Sequence, residues 1–133
     1  MKRSYSGGCH CGAVRFEAEI DASLGTDKCN CSICMKTRLW SFEVAPADMR
    51  ITRRDGLADY TYGSHVAHHY FCRVCGIRPF EFVDLPEQQR AYYNVQVVCV
   101  DGLDIDELMA APIRLQDGLH DRWDRVPDET RLL

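Results

Sequence analysis

Seven of the eight cysteines in this chain of 133 residues fall into three tight groups. The groups are Cys9-x-Cys11, Cys29-x-Cys31-x-x-Cys34 and Cys72-x-x-Cys75, while Cys99 stands alone. Clustered cysteines outside a disulfide-rich secreted protein are typical zinc ligands. A structural zinc closes its shell with four protein ligands, whereas a catalytic zinc keeps one position open. Two pairs and one triplet therefore predict two zinc ions per chain, one structural and one catalytic.

The two pairs, Cys9 with Cys11 and Cys72 with Cys75, are expected to share the structural zinc. Cys72-x-x-Cys75 followed by Gly76 has the form of a zinc knuckle, in which glycine permits a positive φ after the second ligand. Cys9 and Cys11 are alternate residues, which face one side of an extended chain. The pairs lie far apart in the sequence, so this zinc would clamp the first strand to a middle hairpin.

The triplet of Cys29, Cys31 and Cys34 is the candidate catalytic centre. Three thiolates can surround one ion and leave a position for water, hydroxide or a substrate thiolate, and zinc deprotonates a thiol that it binds. The alternative is a structural site closed by a fourth protein ligand, either Cys99 or a histidine. Cys99 is itself open to two interpretations, a ligand or a buried core cysteine.

Three histidines precede the knuckle, at His65, His68 and His69. One of them could lie near the second metal as an acid, a base or a ligand. Hydrogen-bonded strand histidines would give the same sequence, and only geometry separates the two interpretations.

Four basic residues near the cysteine motifs form a candidate anion-binding set. A substrate that carries a carboxylate would be held by such groups, although ordinary surface charge explains each of them equally well. The residues are Lys36, Arg38, Arg73 and Arg78.

Alternating apolar residues predict that short strands position these motifs. The pattern is clearest over residues 14–20 and 40–44, and it recurs over 60–62, 66–71, 80–82 and 91–99, with a further short apolar stretch at Ile51. One short helix is predicted from Asp104 to Ala110, because Asp104 and Glu107 form a capping box. We therefore expect a mainly β fold with one short helix.

The length is that of a single domain covering residues 1–133. The motifs occupy about residues 5–111, and a C-terminal tail covers 112–133. Its charge-rich part, from Asp117 to Leu133, is expected to be irregular and to pack at an edge through Leu119 and Trp123. No run of residues resembles a signal peptide or a membrane span, so we expect a soluble, cytoplasmic protein.

The net charge of −4 and the lack of a basic stripe argue against nucleic-acid and membrane partners. The sequence carries no signal for the oligomeric state.

These motifs together resemble the glutathione-dependent formaldehyde-activating family, also called the centromere protein V/Gfa domain. The matching segments are Gly8 to Val14, Cys29 to Cys34 and Phe71 to Gly76, in the family's order. The resemblance extends to about Met109.

The resemblance implies an Mss4-like fold of folded antiparallel sheets with zinc-binding knuckles. It also implies a structural zinc at the two pairs and a catalytic zinc at the triplet. The implied activity joins glutathione, or a similar small thiol, to formaldehyde or a related aldehyde and gives S-hydroxymethylglutathione. That reaction belongs to the carbon–sulfur lyases.

The alternative function is a non-catalytic zinc module that binds a protein partner. Mss4-like folds serve this role elsewhere. A triplet closed by a fourth protein ligand would favour this alternative, and an open triplet favours the enzyme.

Overall fold

Two β-sheets form the framework of the protein, whose structure is a computed structural model that describes residues 1–133. The strands are β1 (Arg3–Gly8), β2 (Val14–Ile20), β3 (Thr26–Cys29), β4 (Trp40–Val44), β5 (Met49–Arg54), β6 (Leu57–Tyr60), β7 (Ala67–Cys72), β8 (Phe80–Leu85), β9 (Arg90–Gln96) and β10 (Ile113–Gln116). The helices are α1 (Ser32–Thr37) and α2 (Ile105–Ala110). This confirms the mainly β fold expected from the sequence.

The smaller sheet has the strand order β1-β2-β5, and the larger sheet has the order β10-β3-β4-β9-β8-β7-β6. All the strand pairs are antiparallel except that of β10 with β3, which is parallel. The chain therefore returns after α2 to close the edge of the larger sheet. No helix in the protein is long and apolar enough to cross a membrane.

The core lies between the two sheets and follows the alternation seen in the sequence. Val14, Phe16 and Ile20 on β2 are buried, and Phe42 and Phe80 on the larger sheet pack into the same cluster. Phe16 meets Phe80 edge to face, with ring centroids 5.8 Å apart. Burial of these apolar side chains holds the sheets together and so fixes the turns that carry the cysteines.

The predicted helix is present, and a second helix was not predicted. The carboxylate of Asp104 caps α2 by accepting hydrogen bonds from the backbone N–H groups of Asp106 and Glu107. Helix α1 has six residues and begins inside the cysteine triplet, and so short a segment shows no amphipathic period. The expectation of one helix was therefore one too few.

The last predicted strand ends earlier than its alternation suggested. β9 stops at Gln96, and Val97–Cys99 forms a 3-10 turn, so Cys99 is not on a strand. Tyr62 lies beyond the end of β6, and His65 adopts a left-handed backbone with φ 58° before β7 begins. Both departures occur at turns, where side-chain alternation carries no information.

Candidate metal centres and the adjoining cavity

Four thiols from distant parts of the chain meet in one cluster. Cys9 and Cys11 lie in the turn between β1 and β2, Cys72 ends β7, and Cys75 lies in the turn that follows. The Cys9 and Cys11 sulfurs are 3.7 Å apart, and those of Cys11 and Cys72 are 3.6 Å apart. Four sulfurs at about 2.3 Å from a tetrahedral zinc would be about 3.8 Å apart. The cluster therefore has the size of a closed four-thiolate site.

Backbone N–H groups are arranged to stabilise thiolates in this cluster. Val14 donates its N–H to Cys9 Sγ at 3.3 Å, and the N–H groups of Ile77 and Cys11 lower the pKa of Cys75 to about 6. Thiolates are the ligands that metals bind. The spacing of Cys9 and Cys11 had suggested an extended chain. The structure has a tight turn there instead, in which Gly12 takes a φ of 81°.

The Cys72 knuckle has the predicted geometry. Gly76 adopts a φ of 79°, which lets its backbone N–H reach the Cys72 carbonyl at 2.7 Å. Gly56 lies against the buried ligand from the other side, and a Cβ there would be only 2.6 Å from Cys72 Sγ. The knuckle thus needs two glycines for different reasons, backbone conformation at Gly76 and space at Gly56.

The triplet forms a second, local cluster. Cys29 ends β3, Cys31 is the N-cap residue of α1, and Cys34 lies within that helix. Their sulfurs all lie within 4.8 Å of one another, and Cys31 donates its backbone N–H to Cys29 Sγ at 3.3 Å. Hydrogen bonds from Cys29 and Cys34 lower the pKa of Cys31. The bond with Cys31 raises the pKa of Cys29 to about 11, and the bonds with Cys29 and Cys31 raise the pKa of Cys34.

Cys99 belongs to neither cluster. It is half-buried, and burial raises the pKa of its thiol to about 11. No histidine or carboxylate joins the triplet either. Of the two interpretations of Cys99, the structure favours a packed cysteine over a fourth ligand.

The C-terminal segment clamps the triplet. Asn30, between two of the thiols, donates its amide to Asp117 Oδ1 at 2.8 Å and accepts the backbone N–H of Leu119 at 2.9 Å. Asp117 is completely buried. Burial alone would raise its pKa, but hydrogen bonds from Asn30, His120 and Arg122 lower it to about 2. Gly118 packs on the triplet so closely that a Cβ would lie 2.5 Å from Cys29 Sγ.

A cavity of about 850 Å³ opens beside the triplet, and all three thiols line it. This volume is in the range of small-molecule sites. Leu119 and Trp123, 60% and 53% exposed, stand at its wall rather than in a packed interface. The tail is irregular beyond β10 as expected, but its apolar side chains face the cavity.

The structure separates the three candidate histidines. His65 is exposed and bonds Thr61 Oγ1 at 2.8 Å, and His68 bonds Asp59 at 2.6 Å. His69 alone lines the cavity, where its Nδ1 lies 2.9 Å from a carboxylate oxygen of Glu81. Glu81 carried no signal in the sequence beyond its alternation with Phe80 and Phe82.

None of the four predicted anion-binding residues lines the cavity. Arg38 and Arg73 donate to backbone carbonyls, at Leu132 and Leu57. Lys36 is exposed, and Arg78 bonds other side chains. The cations that do line the cavity are Lys28 and Arg90. Sequence reasoning missed both, although Lys28 directly precedes Cys29, and Arg90 lies far along the chain from every cysteine motif.

Each cluster fits a metal ion by the chemistry of its donors. Thiolate sulfur is a soft ligand that selects zinc and similar ions over magnesium or calcium. The four-thiol cluster is complete, while the triplet offers three sulfurs and adjoins open space.

Comparison with known proteins agrees with this arrangement. A family model described as glutathione-dependent formaldehyde-activating enzyme matches residues 4–113. A solved structure of a Rhodobacter sphaeroides protein is 31% identical, with a TM-score of 0.66 over 81% of this chain and 98% of that chain.

Proposed function

We propose a function from one premise, that this chain belongs to the family of glutathione-dependent formaldehyde-activating enzymes. In this proposal the protein is a zinc-dependent carbon–sulfur lyase that joins a small thiol, glutathione or a similar one, to formaldehyde or a related aldehyde. Cys9, Cys11, Cys72 and Cys75 would hold the structural zinc, and Cys29, Cys31 and Cys34 the catalytic zinc.

One observation carries this proposal, the three-thiol cluster that opens into the cavity. No histidine, carboxylate or further cysteine joins it as a fourth ligand, and all three thiols are on the cavity wall. A closed shell would have favoured the alternative function, a zinc module that binds a protein partner. Three ligands beside open space are typical of catalytic sites.

When bound at the triplet, zinc would favour the thiolate form of a substrate thiol. The chain's own groups keep the ligands in place for that role. The Cys31 N–H donates to Cys29, Asn30 fixes the loop between these two cysteines to Asp117, and the cavity gives the second reactant access.

The cavity also suits a zwitterionic thiol. Glutathione carries two carboxylates and one ammonium group, and the cavity has both charge signs on its wall, with Lys28 and Arg90 as cations and Asp27 and Glu43 as anions. Arg90 and Glu43 pair with each other at 2.7 Å. Because both side chains are exposed, Arg90 and Glu43 could each release the other and bind a charged group of the substrate with little loss of free energy.

The reaction conserves every atom. The thiol loses its proton, and its sulfur forms a bond to the carbonyl carbon. The π electrons of the carbonyl move to oxygen, which takes up a proton to give the hydroxyl group. The reverse reaction breaks the carbon–sulfur bond and releases the aldehyde.

The test uses the zinc-loaded protein, with glutathione and formaldehyde as probes. Exchange spectroscopy by NMR measures how fast free and adduct forms interconvert with and without protein. We expect the wild type to accelerate the exchange between free thiol and adduct, and Cys31→Ser to lose this acceleration. The zinc content of Cys31→Ser should fall from two ions per chain to one. Circular dichroism should show an unchanged fold.

Cys99→Ser is the matched control, because this thiol lies outside both clusters. It should keep both zinc ions and the activity. A freshly purified protein with a single zinc, held at the four-thiol cluster, would contradict the catalytic proposal. Two zinc ions without acceleration of any thiol would favour the binding module instead.

A further inference from the structure

A buried ionic cluster lies on the cavity wall beside the triplet. His69 and Glu81 are each 5% exposed and face each other across β7 and β8. Glu81 Oε2 accepts a hydrogen bond from Arg78 Nη2 at 3.1 Å, and Glu81 Oε1 accepts one from Asn94 at 2.8 Å. His69 and Glu81 are buried titratable groups that belong to neither thiol cluster.

The hydrogen bonds of this cluster define the state of the His69 ring. Glu81, as a carboxylate, can only accept, so the hydrogen of His69 is assigned to Nδ1, 2.9 Å from Oε2. Arg78 Nη2 also lies 3.1 Å from Nδ1, and with this tautomer it donates to Oε2 instead. The tautomer assigned from this network leaves a lone pair on Nε2. The arrangement is that of a carboxylate that orients a general base.

The Nε2 atom of His69 is available to a ligand. It makes no hydrogen bond within the protein, and the one buried side-chain nitrogen or oxygen without a partner is Arg78 Nε. Nε2 therefore keeps contact with the cavity that His69 lines. Tyr62 stacks on the ring with centroids 5.3 Å apart and holds its orientation.

A chain of hydrogen bonds connects this pair to the helix of the triplet. Arg78 donates Nη1 to Thr37 Oγ1 at 2.8 Å, and Thr37 donates to the Ile33 carbonyl at 2.7 Å within α1. The same arginine bonds Glu81. The position of His69 is thereby set relative to the helix that carries Cys34.

Structural stability alone does not account for this cluster. Buried ion pairs often contribute no net stability, because desolvation offsets their attraction. The other strand histidine, His68, makes a similar bond to Asp59 at the surface. Buried charge on the wall of a cleft, beside nucleophiles, is instead typical of catalytic sites.

We propose that His69 is a catalytic residue, which carries the proton from the substrate thiol to the aldehyde oxygen, and that Glu81 is its positioning residue. This inference rests on the proposed function. Nε2 takes the proton as the substrate thiol becomes a thiolate, and gives it to the carbonyl oxygen as the carbon–sulfur bond and the hydroxyl form. The imidazole ends each turnover unchanged, so no other reactant is needed.

The test compares His69→Gln with His68→Gln in the zinc-loaded protein. We expect His69→Gln to lower kcat by about 100-fold or more with little change in KM, and to remove one ionisation from the pH profile. The charged and titratable groups around the ring are Glu81, Arg78, Tyr60 and Tyr62. All four remain in this variant. His68→Gln should match the wild type.

A second pair of measurements does not depend on that variant folding well. Nitrogen-15 spectra of the wild type should show the Nδ1–H tautomer of His69, and Glu81→Gln should change it. In His69→Ala, added imidazole should restore part of the lost activity, because the cavity has room for it.

The outcomes separate the two proposals. An active wild type whose rate and pH profile are unchanged in His69→Gln overturns the role of His69 and leaves the proposed function standing. The opposite tautomer, or activity that imidazole does not restore, also overturns this role. An inactive wild type with two zinc ions overturns the proposed function and this inference with it.

Discussion

At the scale of single residues, the four-thiol cluster depends on the space around the Cys72 sulfur. Cys72 is fully buried, and a Cβ at position 56 would lie 2.6 Å from its sulfur and 3.0 Å from the Cβ of Ala13. No positive φ demands glycine at position 56. Glycine is required there by space, because a side chain would displace the sulfur of a candidate metal ligand.

We therefore expect Gly56→Ala to lower the metal content of the four-thiol cluster and to cost about 1–3 kcal/mol of unfolding free energy through overpacking. Metal analysis and thermal unfolding measure the two effects. Gly63→Ala is the control. It has a φ of 61° but open space around it, so it should strain the backbone and leave the metal content intact. Equal metal content in both variants would contradict the prediction.

The two cysteine clusters, as candidate metal sites, could be predicted from sequence because metal-ligand chemistry depends on spacing within a few residues. The seven cysteines in two clusters were found in this way. Glu81 and Asp117 were not, since their partners come from distant strands and neither belongs to a motif. His69 was distinguished from its neighbours only when the structure showed which face of β7 lines the cavity.

At the scale of elements, the segment after β10 holds the triplet in place. Asp117 connects Asn30 to Arg122 and His120, with Arg122 Nη2 at 2.7 Å from its carboxylate. Because Asn30 lies between Cys29 and Cys31, the position of this segment and the geometry of the triplet depend on each other.

Replacement of Asp117 should release the segment. In Asp117→Ala, Asn30, His120 and Arg122 lose a shared partner, and we expect trypsin to cleave after Arg122 roughly tenfold faster, because breaking a buried charge cluster favours local opening. Mass spectrometry of the fragments measures the rate. Asp124→Ala, at an exposed position, should behave as the wild type. Resistance of both variants to trypsin would show that the clamp lies elsewhere.

The elements themselves were predicted unevenly. β2 and β4 match their predicted bounds. β2 has one buried and one partly exposed face and so alternates cleanly, and the apolar residues of β4 alternate in sequence with polar ones, although Ser41 is buried as well. β10 was missed, since its four residues, IRLQ, are too short for a pattern and its parallel partner β3 lies far back in the sequence. α1 was missed because its six residues are too few for an amphipathic period, and its one buried residue is Cys34, a candidate metal ligand.

At the scale of the molecule, the two clusters differ in what they connect. The four-thiol cluster ties the turn of the smaller sheet to the turn after β7 in the larger one, whereas the triplet is local to β3 and α1. The reading of residues 1–133 as one domain stays a prediction. The pairing of β10 with β3 and the burial of Asp117 support it.

Graded removal of metal should therefore occur in two stages. A chelator should first take the ion with three ligands and access to the cavity, and abolish activity without unfolding. Loss of the second ion should unfold the protein, because a structural zinc contributes folding free energy. Metal release and circular dichroism followed together measure the order. Unfolding that coincides with release of the first ion would contradict this division of roles.

One wall of the cavity comes from beyond the segment that matches the family. The family model matches residues 4–113, yet Gln116, Leu119 and Trp123 line the cavity from beyond that point. A substitution at Leu119 or Trp123 would therefore change the shape and polarity of the cavity without changing any of the seven clustered cysteines.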